Sequence, residues 1–502
     1  MASDAVGLEL LSRIVGYKLT KGDFSNVTPN LPMRVAILAE ANTANQGSLD
    51  TDGTAITTAQ QAGELYGYGS PVYHIMRILR PNSGTGIGGI PTYVYAQEEP
   101  VGAAAKVMEV SATGTATANG THNLVIGGRN GVDGDIYAIN VEVGDGAAEI
   151  ASKIEDSVNN VLGSPVTASS DPYVATLTTK WKGLTADELT VSVNTNGNAL
   201  GLTYATNVTA NGSGTPAVTD ALNQFGNEWT TLVINGYSTN TTVMDELEAF
   251  NGIADPNSPT GRYSGIVFKP FIAITGSTAD DPSSITDARK AQMTIAIAPA
   301  PNSSAFTFEA AANMTRLVAR TAQDTPHLDV NGQSYPDMPV PTSIGSMANY
   351  TNRDAFLKKG CSTVDKVNGL YVVQDFVTTY HPVGETPPQF RYSRNLILDW
   401  NVKFGYFLLE QENVVDHVIA NDDTVVNASQ VIKPKRWKGI LFGYADTLAL
   451  RGLVTDVDFM KDSITVEISS SNPDRLETFF RYKRTGTVRI ASTTAEAGFN
   501  FG

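Results

Sequence analysis

Four largely apolar runs, with helical patterns among them, constrain this chain more than any other feature. MRVAILAE (33–40), TTLVINGY (230–237), GIVFKPFIAITG (265–276) and MTIAIAP (293–299) read as buried strands. None shows the strict alternation of a half-solvated strand. A strand that is apolar on both faces must be covered on both faces, which is the condition of a parallel sheet between helices. The neighbouring segments supply helices. TAQQAGELYG (58–67) reads as a short helix ended by Gly67. PVYHIMRILRP (71–81) places Pro71 in a first turn, Pro81 past the end, and Val72, Ile75, Met76 and Leu79 on one face. PTYVYAQ (91–97) is the next strand, and TVMDELEAFNG (242–252), SITDARKAQM (284–293) and SSAFTFEAAANMTRLVARTAQ (303–323) are the later helices.

Two stretches depart from this rhythm. Residues 101–217 are rich in Thr, Gly, Ala, Asn and Val and read as mostly β with one helix, AAEIASKIEDSVNNVLG (147–163). Asn119-Gly120 predicts a hairpin within 110–128, and YVATLTTKW (173–181) and LTVSVNT (189–195) predict further strands. The stretch carries more acids than bases, as a solvent-facing inserted domain would. After a loop at 324–352, GLYVVQDFVTTY (369–380) reads as a strand, and 390–415 and 439–453 read as helices. VTDVDF, SITVEISS (463–470) and RYKRTGTVRIAS (481–492) read as strands. The expected class is α/β multidomain, divided at 1–100, 101–217, 218–368 and 369–502.

Composition removes several functions. With 41% hydrophobic residues the chain can bury cores, and a single cysteine, Cys361, excludes an intrachain disulfide and a multi-cysteine zinc site. No run of 18 apolar residues occurs, so no transmembrane helix is expected, and MASDAVGLELLSRIVGYKL lacks the plan of a secretory signal. Gly84, Gly86 and Gly89 satisfy G-x-G-x-x-G, but a helix precedes them and a strand follows, the reverse of the dinucleotide context. His74, His122, His327, His381 and His417 are scattered, with no HExxH, and no G-x-S-x-G occurs. Asp133 and Asp135 read as a tight turn rather than a calcium loop, and Cys361 reads as passive. No catalytic residue, metal ligand or cofactor is expected.

Charge is unevenly distributed. The whole chain is −16, yet residues 425–502 carry eleven basic and eight acidic groups. The basic groups are Lys433, Lys435, Arg436 and Lys438, then Arg481, Lys483, Arg484 and Arg489. No nucleic-acid module accompanies them. We read these eight as an interface toward an acidic partner, which a second copy of an acidic chain could itself supply.

These segments, in this order, resemble the contractile tail sheath proteins of Mu-like myophages. The resemblance is carried by MRVAILAEA (33–41), GELYGYGSPVYHIMRILRPN (63–82), IPTYVYAQ (90–97), GTATANGTHNLVIGGR (114–129), KWKGLTADELTVSV (180–193), FRYSRNLILDW (390–400) and LVTDVDFMKDSITVEIS (453–469). It implies a structural, non-catalytic subunit that stacks as six-fold rings around a tail tube and contracts to drive the tube through a host envelope. It implies a discontinuous α+β core from 1–100 and 369–502, with the inserted β domain and an α/β, subtilisin-like but non-catalytic middle domain (218–368) outside it. Terminal arms at 1–30 and 484–492 would add strands to neighbours. Implied partners are further copies, the tube, and baseplate and terminator proteins, with no direct nucleic acid and no membrane insertion. The implied location is the virion tail, after assembly in the host cytoplasm. A surface-layer or adhesin-like protein and a hydrolase with scattered catalytic residues are the alternative readings.

Overall fold

The computed structural model describes residues 29–499 apart from 256, 266, 386 and 387. Most of the expected N-terminal arm therefore lies outside the described residues. The elements that shape the fold begin with β1 (Val35–Glu40), β2 (Thr54–Ala55), α1 (Ala59–Tyr66), α2 (Pro71–Leu79) and β3 (Thr92–Gln97). Next come β4 (Val107–Gly114), β5 (Gly120–Ile126), β6 (Ala138–Val141), α3 (Ala147–Asn159), β7 (Val166–Asp171), β8 (Val174–Thr179), β9 (Val191–Asn194) and β10 (Leu202–Ala210). Then follow β11 (Leu232–Asn235), α4 (Thr241–Asn251), β12 (Ile272–Ser277), β13 (Ile295–Pro299), α5 (Thr307–Asp324), β14 (Thr363–Val367) and β15 (Leu370–Asp375). The chain continues with α6 (Ser393–Asn413), α7 (Pro434–Leu450), α8 (Val457–Ser463), β16 (Thr465–Ile468) and β17 (Leu476–Phe479).

The apolar runs form one sheet. Its order is β13-β12-β11-β1-β3-β2, parallel except for β2. Every residue of β1, β11, β12 and β13 is buried, as two-sided coverage requires. One face packs Leu38, Val233, Ile295 and Ile297 against Val243, Met244 and Leu247 of α4 and against Phe225 and Phe271. Helix α5 lies against β11, β12 and β13, with α2 packed beside it. The approach is close: a Cβ on Gly276 would stand 1.7 Å from the Thr307 carbonyl.

Local rules account for α2. The Ser70 hydroxyl accepts from Tyr73 N at 3.1 Å, and Pro71 occupies the first turn, where no N–H is needed. Ser70→Ala is expected to cost about 1 kcal/mol. The cost would register as an earlier unfolding transition of the unit that holds α2, and an unchanged midpoint would refute it.

Among the described residues strands β4 to β10 pair only with one another, as a sheet of order β10-β4-β8-β7 and another of order β9-β5-β6. The Asn119-Gly120 hairpin does not form. β4 and β5 belong to different sheets, because Gly114 (φ +104°) turns the chain out of the first. Ala116 N then bonds Asp145 O at 2.9 Å instead of a hairpin partner.

Four further expectations are corrected. Segments 1–100 and 218–368 do not form separate layers, because Val35 of β1 pairs with Leu232 and with Thr92 in one sheet. The boundary at 368/369 would cut the β14–β15 hairpin at its Asn368-Gly369 turn, where both residues have positive φ. The described chain clusters as one unit of residues 30–403 with 484–499, and another that includes 404–483. Residues 35 and 465 therefore fall in different units, and the reading of the two chain ends as a single core is withdrawn. Within 404–483, VDF is helical rather than extended, because Asp456 caps α8 by accepting from Phe459 N at 3.3 Å. In the same unit Trp437, Leu441, Tyr444 and Leu448 form the buried face of α7.

Candidate functional site

The order of the parallel sheet reverses at β1. The chain leaves β1 toward β3 on one side and later returns to β11 on the other. Ligands of open α/β sheets bind beyond the strand ends at such a reversal. Here the inserted domain's own turn occupies that place. Thr185 Oγ1 donates to Glu40 Oε1 at 2.7 Å, at the end of β1. The Glu188 carboxyl accepts from Thr307 N at 2.7 Å and from Thr307 Oγ1 at 2.8 Å, capping α5. Trp181, fully buried, donates to Thr185 Oγ1 at 2.9 Å and packs edge-on to Phe306 and Phe308. Burial lifts the Glu40 carboxyl to about 8, against the Thr185 hydrogen bond. Burial lifts Glu188 to about 7, against its bonds to Thr307.

A second junction is ionic. Arg77 of α2 and Arg129, just beyond β5, converge on Glu309 of α5 and on Asp337. Arg77 reaches Asp337 at 2.6 Å and Glu309 at 3.2 Å, and Arg129 reaches the same two carboxylates at 2.6 and 3.2 Å. Burial pushes Asp337 up, but Arg129 and Arg77 more than offset it and hold its carboxyl below the usual range. His74, on the same helix as Arg77, is buried and kept neutral by desolvation and by Arg77, Arg129 and Lys180.

The other candidate chemistry resolves into structure. His122 lies between Tyr204 Oη and Asn198 O at 2.8 Å each, and His381 between Thr379 O at 2.7 Å and Asp287 at 3.2 Å. Cys361 is buried, and desolvation drives its thiol pKa up, away from reactivity. Among the described residues no group of three His, Cys, Asp or Glu side chains is placed to hold a metal, and no helix is long and apolar enough to cross a membrane. The Gly84–Gly89 loop is a turn bound by Arg80, which donates to Gly88 O at 2.7 Å and Ile90 O at 2.6 Å.

The eight basic residues divide into two kinds. Lys433, Lys435, Arg436 and Lys438 surround the N-terminus of α7, and among the described residues none of them meets a carboxylate in an ion pair. Cations there oppose the helix dipole, which the Asp422 carboxylate offsets by accepting from Lys435 N at 3.0 Å. The others are engaged within the chain. Lys483 pairs with Asp456, and Arg481 lies over the Phe479 ring. Arg484 grips both oxygens of Asp399 at 2.7 and 2.6 Å. Arg489 pairs with Asp329 and with Asp375 at 3.2 Å, and stacks 3.6 Å from the Tyr392 ring centre. Arg394 donates to Thr485 Oγ1 at 2.7 Å.

The expected closing strand is thereby corrected. Regular pairing stops at Arg484, and 485–499 is tied down at its start but has no strand assignment. Val488 and Ile490 are 84% and 82% exposed, two residues apart as on one face of an extended strand. In the 404–483 unit, β16 and β17 pair antiparallel with each other and with no other strand among the described residues. Phe479 of that hairpin is 53% exposed beside a groove of about 510 Å³ whose lining includes Tyr406, Glu410 and Arg475.

Comparison with known proteins gives these features a context. No protein-family model matches the chain. Over 445 residues it is 24% identical to the Mu-like prophage FluMu tail sheath protein of Haemophilus influenzae, covering 87% of each chain. The chain is similar to a Mu-like tail sheath protein. Among solved structures, a sheath tail protein from Desulfitobacterium hafniense matches at TM-score 0.45 and 13% identity, over 94% of this chain and 100% of that one. A chain of the anti-feeding prophage baseplate matches at TM-score 0.46 and 10% identity, over 97% of this chain and 100% of that one.

Two of the segments that carried the tail-sheath resemblance hold the first of these junctions. MRVAILAEA contains Glu40, and KWKGLTADELTVSV contains Trp181, Thr185 and Glu188. Sequence reasoning missed both junctions. One signal was present: a glutamate at the end of a wholly apolar run.

Proposed function

We propose that this chain is a structural subunit of a contractile phage-type tail sheath, assembling as six-fold rings around a tail tube above a baseplate. The observation that carries the reading is the likeness to a tail sheath protein across 87% of both chains. The geometry supports it. A tethered C-terminal segment without regular pairing and a two-stranded hairpin whose edges are unpaired among the described residues are the two kinds of surface that a strand-addition contact joins. Because they are different surfaces of one chain, the contact is heterologous and repeats from copy to copy, closing into a ring or continuing as a helix according to the rotation it imposes. Contraction would then move nearly rigid subunits into a second packing while the strand contacts keep neighbours joined. The role is structural, with neither hydrolysis nor cofactor in the cycle.

The purified full chain should form hollow-bored helical tubes in negative-stain micrographs, and a chain that stays dispersed under all polymerising conditions would refute the reading. The cations at the start of α7 are proposed to face acidic sheath or tube surfaces. Replacing Lys435 and Arg436 by glutamate should raise the critical concentration for tube formation by roughly tenfold, about 1.4 kcal/mol per contact. The loss should shrink as salt is added. Unchanged assembly at low salt would remove these two residues from the interface.

A further inference from the structure

We infer that Glu40 is a proton-operated latch that holds the inserted domain in the crevice at the reversal of the parallel sheet. The argument starts from what the carboxyl lacks. Glu40 is 1% exposed, one oxygen accepts from Thr185 with a smaller contribution from the residue's own backbone, and the other has no hydrogen-bond partner among the described residues. The charged groups near it are mainly of its own sign. Glu188 and Glu99 both act on it electrostatically, Asp187 lies next to Glu188 in the chain, and Tyr237 packs nearby. The surrounding cations are engaged elsewhere: Lys182 pairs with Glu99 at 3.7 Å, and Lys106 with Asp187 at 3.7 Å. A carboxylate so placed has neither solvent nor a counter-charge, so the seated domain requires the neutral acid. Ionising it would draw water into the seat, and the part that can leave is the Thr185–Glu188 turn. The turn reaches the sheet body through Glu40 and, by way of Glu188, through Thr307 and Ser238, so loss of the first contact loosens the others.

The sign follows from linkage. When the turn is unseated, Glu40 regains an ordinary carboxyl pKa of about 4.3. When it is seated, the value is about 8. The seated state therefore binds more protons between these limits, and seating weakens as pH rises through that window and levels off above it. One proton makes the opening constant rise by up to about tenfold per pH unit. Glu188 contributes in the same direction, but only up to about 7.

Hydrogen exchange of the full chain, corrected for the intrinsic rate at each pH, tests this on the amides of 181–190. Opening of this segment should increase from pH 5 to pH 8 and then flatten, while amides of β11 and β12 stay unchanged. Glu40→Gln keeps the shape and stays neutral, so it should abolish the rise between pH 7 and 8. Glu188→Gln should leave that part of the rise in place. A wild-type profile with no rise between pH 5 and 8 overturns the proposal even if Glu40→Gln fails to fold. So does a Glu40→Gln profile that superimposes on wild type.

Discussion

Glu309→Ala is expected to lower the stability of the 30–403 unit by about 3–5 kcal/mol, the range for breaking one side of a buried ion pair. Glu309 has a side-chain exposure of 2% and accepts from both Arg77 and Arg129. Without it two guanidinium groups, only 14% and 15% exposed, are left with Asp337 and, for Arg77, with Asp133 at 4.0 Å. The loss is greater than that of a contact, because the remaining charges stay desolvated. Glu309→Gln retains an acceptor of nearly the same shape and should cost less. Urea unfolding followed at this unit checks both, and an alanine variant within about 0.5 kcal/mol of wild type would show that the arginines re-pair elsewhere. Surface pairs such as Lys358 with Asp354, where the side chains are 70% and 41% exposed, should contribute less than about 1 kcal/mol.

The double variant Val488→Lys and Ile490→Lys should fold normally and fail to polymerise. Both side chains are almost fully exposed, so the isolated subunit loses little by their replacement. In a strand-addition contact they would lie on one face against a neighbour, and burying two ammonium groups there would cost several kcal/mol. The anchors Arg484 and Arg489 are untouched, so the segment still leaves the body at the same place. The expected outcome is a sedimentation profile of single subunits with unchanged circular dichroism, and micrographs without tubes. Tubes of normal length and yield would rule out this segment as the strand donor.

Other elements show where sequence reasoning reached. Helices α1 and α2 were legible because Gly67, Pro71 and Pro81 punctuate them within one turn of the periodic residues. The short run VDF misled because three residues carry no period, and the capping aspartate before them decides in favour of a helix. The basic residues were legible as a charge excess, but not which of them are already satisfied. Arg489 meets Asp329 across 160 positions and Asp375 across 114, distances that no local pattern encodes.

The sequence by itself determined the elements: which segments are strands buried on both faces, where most helices begin, and that 101–217 is a β-rich excursion. Tertiary structure alone decided their partnership. It joined β1 to β11 across the whole inserted domain, separated β4 from β5, and placed Glu40 against Thr185. The reason is physical. Helical periodicity and capping act over three or four residues and are written next to the groups they govern. Strand pairing and charge burial join groups far apart in the chain, and apolar strands of similar composition satisfy many alternative registers until the packing of the whole selects one.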